Sequence, residues 1–138
     1  MKEGNKFGAH RVIEPKGVLP QPAWKIDNTM EIYDNEILID VDTLNIDAAS
    51  FTQIEEAEGG DVEKMARHSL GIIKERGKHH NPDTGSGGML LGTIAEIGPK
   101  LKDRDLKVGD RIATLVSLSL TPLKVDEVVS INKDTCQV

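Results

Sequence analysis

Asp47 and Ser50 are well placed for proton-transfer chemistry, because they lie where a predicted strand ends and a helix begins. A carboxylate in a substrate cleft could orient an ammonium group or move a proton, and a serine hydroxyl could relay one. The competing interpretation is structural, since Asp and Ser oxygens commonly cap the free N–H groups of a first helical turn. Capping is the more common role for both residues. The spacing of Ser50 and Gln53 matches a capping box, which predicts that a short helix starts here.

A polar, glycine-rich loop predicted over residues 78–88 contains His79 and His80. Loops of this kind carry function more often than strands do. Together with Asp83 and His68, the two histidines offer metal-ligating atoms. Adjacent histidines on an extended loop point in different directions, however, and we therefore expect no metal site. The favoured functional role is a histidine that contacts a substrate or a neighbouring domain.

Two helices and several short strands are predicted to position these residues. The clearest strand, over 36–44, alternates apolar and acidic side chains, with Ile37, Ile39 and Val41 on one face and Asp40 and Asp42 on the other. The second helix is predicted to begin after Asp61 and to end before Gly77. Its apolar residues follow helical spacing: Val62, Met65, Ala66, Ser69, Leu70 and Ile73. Further strands are predicted near 10–13, over 89–97, 112–116 and 125–131, and from 135 onwards.

Composition and charge exclude several classes of protein. The chain has 138 residues, enough for one domain with a core, and a formal net charge of −6, which disfavours nucleic-acid binding. No apolar run approaches the roughly 18 residues of a membrane span, and the N-terminus lacks the apolar core of a secretory signal. The single cysteine, Cys136, is expected to be a small buried residue rather than a nucleophile. One cysteine allows no internal disulfide and fits a cytoplasmic protein.

The negative charge is concentrated between Ile26 and Glu63, where twelve acidic residues occur without a lysine or arginine. The favoured interpretation is a solvated face that keeps the protein soluble. The alternative is an electrostatic field that attracts a cationic substrate or partner.

The predicted strands do not alternate with helices, which favours a mainly β (α+β) fold, a partly open β-barrel with two helices inserted at about 50–77. Two motifs in it are distinctive, Gly92-Thr-Ile-Ala-Glu-Ile-Gly98 and, ten residues later, Val108-Gly-Asp-Arg-Ile112. They resemble the GroES-like catalytic domain of medium-chain dehydrogenases/reductases, which carries G-x-V-x-E-V-G and V-G-D-R-V. In such a fold the glycines bracket a strand at a barrel corner. The resemblance implies one GroES-like domain over residues 1–138.

Two longer stretches, HRVIEPKGVLPQPAWKIDN from His10 and LNIDAASFTQI from Leu44, resemble a branch of this superfamily that oxidises the 3-amino group of a diamino acid with NAD. The resemblance implies a 3-oxo product, released ammonia, a homo-oligomeric full enzyme and a Rossmann domain that is absent from this chain. It also implies a set of residues that shape the substrate cleft, namely Asn45, Asp47, Ser50 and the loop from Lys78 to Met89 with His79 and His80.

The sequence departs from the superfamily at the metal and cofactor sites. Zinc members carry a cysteine after the first strand and Gly-His-Glu before the motif that corresponds to Gly92–Gly98. At these places this chain has Asn45-Ile46-Asp47 and Gly87-Gly88-Met89. These residues cannot supply the three protein ligands of a catalytic zinc, so we expect a zinc-independent member. No G-x-G-x-x-G follows a predicted strand, and Gly85-Ser-Gly-Gly88 is expected to be a flexible turn. We therefore expect this chain alone to be inactive.

Two other classes share parts of this pattern. A stand-alone binding or assembly module, similar to a co-chaperonin ring subunit, would form a discrete oligomer without a cofactor. Biotinyl and lipoyl carriers also show G-x-I followed by V-G-D-x-V, but they need an exposed lysine flanked by Met or Asp in a hairpin. The sequence shows no lysine in that setting.

Overall fold

A computed structural model of the chain describes residues 1–80 and 87–138. This part of the chain forms a mixed α+β fold with two antiparallel sheets and two α-helices. The elements are β1 (Val12–Glu14), β2 (Lys25–Ile26), β3 (Ile37–Ile46), α1 (Ala48–Ala57), α2 (Val62–Arg76), β4 (Gly88–Ile97) and β5 (Arg111–Ala113). The antiparallel α+β class expected from the sequence is confirmed. Neither helix is long and apolar enough to cross a membrane.

The larger sheet has the order β3-β4-β5, and its two long strands run antiparallel along their whole length. The pairing shifts register between Leu38 and Ile39 and again between Val41 and Thr43. Each irregularity interrupts the simple alternation of faces. The expected apolar face is therefore wrong in detail: Val41 is 39% exposed, whereas Leu44 and Ile46 at the end of β3 are buried.

The helices begin and end at residues with recognisable capping chemistry. Asp47 is the N-cap of α1, which confirms the capping role favoured for it, whereas the helix start predicted at Ser50 is about one turn too late. The second helix agrees with the prediction. The Asp61 side chain accepts a hydrogen bond from the backbone N–H of Lys64, and Gly77 ends the helix in the left-handed conformation at φ 73°.

The C-terminal region forms less sheet than the sequence predicts. No strand is formed over 125–131, where Asp126 and Glu127 interrupt the apolar residues and Val129 is 89% exposed. The last residues instead lie along the free edge of β3. The N–H groups of Leu44 and Val138 each donate to the other residue's carbonyl oxygen at 2.8 Å. β5 is also shorter than predicted, ending at Ala113.

Two hydrophobic clusters hold these elements together. The larger joins the ends of β3 and β4 to both helices and comprises Leu44, Ile46, Phe51, Ile54, Met65, Ile73, Leu90, Leu118 and Leu123. The smaller lies under the first sheet and consists of Val12, Ala23 and Ile26. The residues before and after Asp47, at the end of β3 and in α1, both belong to the larger cluster. Packing therefore fixes the turn at Asp47 from both neighbouring elements.

The N-terminal region is irregular, as expected from its prolines, and buried cations organise it. Arg11 forms a bidentate ion pair with Glu36, with Nε–Oε2 at 2.9 Å and Nη2–Oε1 at 2.7 Å. Its guanidinium also donates to the backbone carbonyls of Asp27, Thr29 and Glu31. One side chain thus satisfies three carbonyls that no sheet pairs.

Candidate functional site

Asp47 lies at the junction of β3 and α1, half-buried. Its Oδ2 accepts a hydrogen bond from the Ser50 backbone N–H at 3.5 Å, and its own N–H donates to the Gly87 carbonyl at 3.2 Å. Asp47 is therefore a helix cap, and it also ties the end of β3 to the start of β4. Ser50 is not a cap, because it lies inside the first turn with its side chain fully buried.

Two glycines bring the surrounding segments close to this junction. A Cβ atom on Gly87 would lie 2.4 Å from the His79 carbonyl oxygen and 2.7 Å from the Ser119 nitrogen. A Cβ atom on Gly88, at φ 128°, would lie 2.1 Å from the Asn45 carbonyl oxygen. Both glycines are thus packed against protein backbone. They offer no open cradle of N–H groups for a dinucleotide phosphate.

His79 is the most unusual side chain beside this junction. It is fully buried, and within residues 1–80 and 87–138 neither ring nitrogen has a hydrogen-bond partner. Burial lowers its pKa to about 4, and the negative charge of Asp47 opposes that shift only in part. The imidazole is therefore neutral at physiological pH.

His80 faces a different set of groups from His79. Its Nδ1 accepts a hydrogen bond from Arg76 Nη2 at 2.8 Å, and its carbonyl accepts one from Nη1 at 2.7 Å. A guanidinium has donors only, so this contact requires a lone pair on Nδ1. The Arg76 guanidinium also donates through Nε to the Trp24 carbonyl at 2.7 Å and stacks 4.1 Å from the centroid of the Trp24 ring.

Lys78 is buried as completely as His79. Its Nζ donates to the carbonyl oxygens of Pro20 at 2.6 Å and Gln21 at 3.0 Å. Burial, with a smaller contribution from the charge of Arg76, lowers the Lys78 pKa to about 8. Sequence reasoning missed the roles of Arg76 and Lys78, because both look like ordinary basic residues at the end of a helix. Their burial beside two histidines depends on the N-terminal segment that covers them.

Asn45 and Met89 face each other across the β3–β4 pair, and both are half-buried. Together with Asp47, they place two polar side chains and a thioether at one end of the larger sheet. The structure thus places Asn45, Asp47 and Met89 at one end of the larger sheet, with Ser50 in the first turn of α1. His79 lies near Asp47, whereas His80 contacts Arg76 instead. Asp83, Gly85 and Ser86 were also singled out from the sequence but lie outside the described residues.

His68 lies on α2, where its Nδ1 is 3.2 Å from a carboxylate oxygen of Glu58, the C-cap of α1. In the part of the chain that the structure describes, no three His, Cys, Asp or Glu side chains lie close enough to hold a metal ion.

Several acidic residues of the stretch from Ile26 to Glu63 have local partners. Glu36 pairs with Arg11, Asp34 lies 3.5 Å from Lys100, and Asp42 lies 2.6 Å from Arg111. Two others, Asp47 and Asp61, cap helices. This distribution supports a solvated, locally neutralised face. A small cavity beside Arg11 and Tyr33 lies within that ion-pair network, away from the junction at Asp47.

Fold and site together define a small α+β domain with a polar cluster at one end of an antiparallel sheet. Residues 10–138 match the family described as L-erythro-3,5-diaminohexanoate dehydrogenase N-terminal domain, and the chain belongs to this family. This confirms the resemblance to a dehydrogenase domain seen in the sequence.

Two curated relatives carry the name L-erythro-3,5-diaminohexanoate dehydrogenase. The protein from Fusobacterium nucleatum subsp. nucleatum is 64% identical over 139 residues, covering 100% of this chain and 40% of the relative. The protein from Acetoanaerobium sticklandii is 64% identical over 137 residues, covering 99% of this chain and 40% of the relative. The chain therefore spans about 40% of the length of these relatives.

Proposed function

We propose that this chain is the substrate-side domain of an NAD-dependent dehydrogenase that acts on L-erythro-3,5-diaminohexanoate. The observation that carries the proposal is the 64% identity over the whole chain to two dehydrogenases with that name. Oxidation of the 3-amino group would yield a 3-oxo acid, ammonium, NADH and a proton, with one water consumed. In this proposal residues 1–138 form one GroES-like, partly open barrel, with helices α1 and α2 as its insertion.

The positions of the residues around the β3–α1 junction support a different role for each of them. The Asp47 carboxylate is suited to bind the substrate ammonium and to accept the proton that it must lose before hydride can leave the carbon. The neutral ring of His79 lies near this carboxylate, and the buried Ser50 hydroxyl could relay that proton. Asn45 and Met89 line the same end of the sheet, and His80 forms part of the neighbouring wall.

The cofactor is proposed to bind mainly outside this chain. Gly87 and Gly88 lie between α2 and β4 and pack against protein backbone, and the described residues offer no glycine-rich turn that leads from a strand into a helix. We assign NAD binding to a Rossmann domain in the remaining length of the relatives. NAD, when bound there, would take up the hydride, as expected for a zinc-independent, homo-oligomeric member of the superfamily. A cytoplasmic setting is part of the same proposal.

A chimera tests the proposal directly. This chain would replace the aligned segment of the Fusobacterium nucleatum relative, and NADH formation would be followed with L-erythro-3,5-diaminohexanoate as substrate. We expect substrate-dependent NADH formation. A chimera that binds NADH but does not reduce NAD with this substrate, while the unmodified relative does, would overturn the proposal.

Two matched substitutions in the chimera test the role of Asp47. Asp47→Asn and Asp61→Asn both change a helix-capping aspartate to asparagine, which caps equally well. We expect Asp47→Asn to lower kcat/KM by about 100-fold or more, the usual size of a general-base effect. Asp61→Asn should retain activity. Equal activities in the two variants would show that Asp47 is a cap and nothing more.

A further inference from the structure

The buried segment 76–80 contacts two different parts of the molecule. Arg76 and Lys78 reach the N-terminal region, where they donate to the backbone carbonyls of Pro20, Gln21 and Trp24. His79, between them and His80, lies beside Asp47 instead, and its own carbonyl packs against Gly87. Five residues of chain thus connect the N-terminal region to the candidate site.

The two cations in this segment are buried without a carboxylate partner among the described residues. Arg76 is 3% exposed and Lys78 is not exposed, and each is satisfied by carbonyl oxygens, with His80 Nδ1 as a further acceptor for Arg76. Burying a charge in this way is costly, and an apolar residue of similar volume commonly stabilises a fold better. Lys78 in particular is a poor choice for packing alone. What its ammonium adds is a directional contact that fixes the backbone of the next residue.

We propose that Lys78 is a positioning residue that holds the N-terminal region against segment 76–80 and thereby keeps His79 dehydrated beside Asp47. Pro20 and Gln21 provide two convergent acceptors for one ammonium, which fixes Lys78 Nζ from a single side. Arg76 fixes the other end of the segment through Trp24 and His80. His79 is held between these two anchors. Any effect of Lys78 on catalysis rests on the proposed function, whereas its effect on His79 does not.

The surroundings of His79 determine how its pKa would change if segment 76–80 were loosened. Burial is the largest influence on its pKa, and among the neighbouring charged groups the Asp47 carboxylate has the largest effect, followed by His68 and His80. If water reaches the ring, the burial contribution falls while Asp47 remains. The pKa of His79 then rises towards its ordinary value of 6.5.

The test follows the His79 Cε1 resonance through a pH titration in the wild-type chain, Lys78→Met and Arg11→Lys. Methionine matches the unbranched apolar part of the lysine side chain but lacks the ammonium that binds the two carbonyls. Arg11 binds other carbonyls of the same N-terminal region, so Arg11→Lys controls for general loosening of that region. We expect the His79 pKa to rise by about 1 or more in Lys78→Met and to stay unchanged in Arg11→Lys.

An unchanged His79 titration in Lys78→Met, or an equal rise in both variants, would overturn the proposal. If Lys78→Met does not fold, Arg76→Lys, which loses the fixed guanidinium contacts to Trp24 and His80, takes its place with the same expected rise in the His79 pKa.

The same substitutions in the chimera connect the inference to activity. A wild-type chimera without dehydrogenase activity would refute the proposed function and leave the His79 result standing. An active chimera in which Lys78→Met shifts the pKa but leaves kcat and KM unchanged would refute only the catalytic consequence.

Discussion

His79 should make the stability of the chain depend on pH between 7 and 5. Its pKa is about 4 in the folded chain and 6.5 in the unfolded chain, so the unfolded chain binds more protons throughout this range. The free energy of unfolding therefore falls as the pH is lowered. The contribution of this one side chain is a loss of about 0.8 kcal/mol at pH 6 and about 2 kcal/mol at pH 5 relative to high pH.

The assay is urea unfolding of the wild-type chain and of His79→Leu at pH 7, 6 and 5. Leucine has a similar volume, does not titrate and needs no hydrogen bonds, so the variant should be at least as stable as the wild type at pH 7. Its advantage should grow by about 2 kcal/mol as the pH falls to 5. The same substitution at His68, which is partly exposed and bonded to Glu58, controls for the loss of any one histidine.

A parallel fall in stability for the wild type and His79→Leu would refute this reasoning. It would mean that water or another group reaches the ring in the folded chain. A change of equal size in the His68 variant would show that the pH dependence is not specific to the buried position. The m-values should match between variants, because a change in m would indicate altered compactness rather than a titration effect.

Three further predictions concern the residues around the site. Gly87→Ala should destabilise the chain by about 2 kcal/mol or more in urea unfolding, because the new Cβ would overlap the His79 carbonyl. As a control, Gly71→Ala on an open helix face should stabilise the chain by about 0.5–1 kcal/mol. Equal effects of the two substitutions would contradict the packing described for Gly87. Between pH 8 and 10, the free energy of unfolding of the wild type should rise relative to that of Lys78→Met. The reason is that the pKa of Lys78, about 8 in the folded chain, lies below its value of 10.5 in the unfolded chain. Parallel plots of stability against pH for the two proteins would show that the Lys78 amine is exposed. Arg11→Lys should lower the free energy of unfolding, measured by thermal unfolding, by about 2 kcal/mol or more, since lysine cannot form the bidentate ion pair with Glu36. A smaller loss of stability would mean that solvent screens this ion pair.

Helix α2 was predictable because its signals are local in sequence. Asp61, the apolar spacing and Gly77 all act within one or two helical turns of the residues they affect. Strand β4 was predictable for a similar reason, since the run from Met89 to Ile97 ends at Gly98-Pro99. The superfamily resemblance came from two short motifs, Gly92–Gly98 and Val108–Ile112, and the finer resemblance came from the two longer stretches that start at His10 and Leu44.

The errors lie where distant parts of the chain decide the outcome. The two register shifts in β3 arise from pairing with β4, and they expose Val41 where simple alternation predicts burial. The helix start at Asp47 rather than Ser50 is an exception, because both residues were candidate caps in the sequence and Asp47 makes its cap locally, with the Ser50 N–H. The residues predicted over 125–131 as a strand find no partner strand in the described structure. A single sequence does not encode such contacts in any local spacing.

The burial of segment 76–80 was the hardest feature to predict. Basic residues after a helix are normally solvated, so their pattern indicates a surface loop. Here the N-terminal region, which has only a two-stranded sheet of its own, leaves carbonyl oxygens that need donors. Arg11, Arg76 and Lys78 supply those donors across the fold. The irregular region and the buried cations therefore require each other, and the neutral histidine beside Asp47 is held in the structure that they form together.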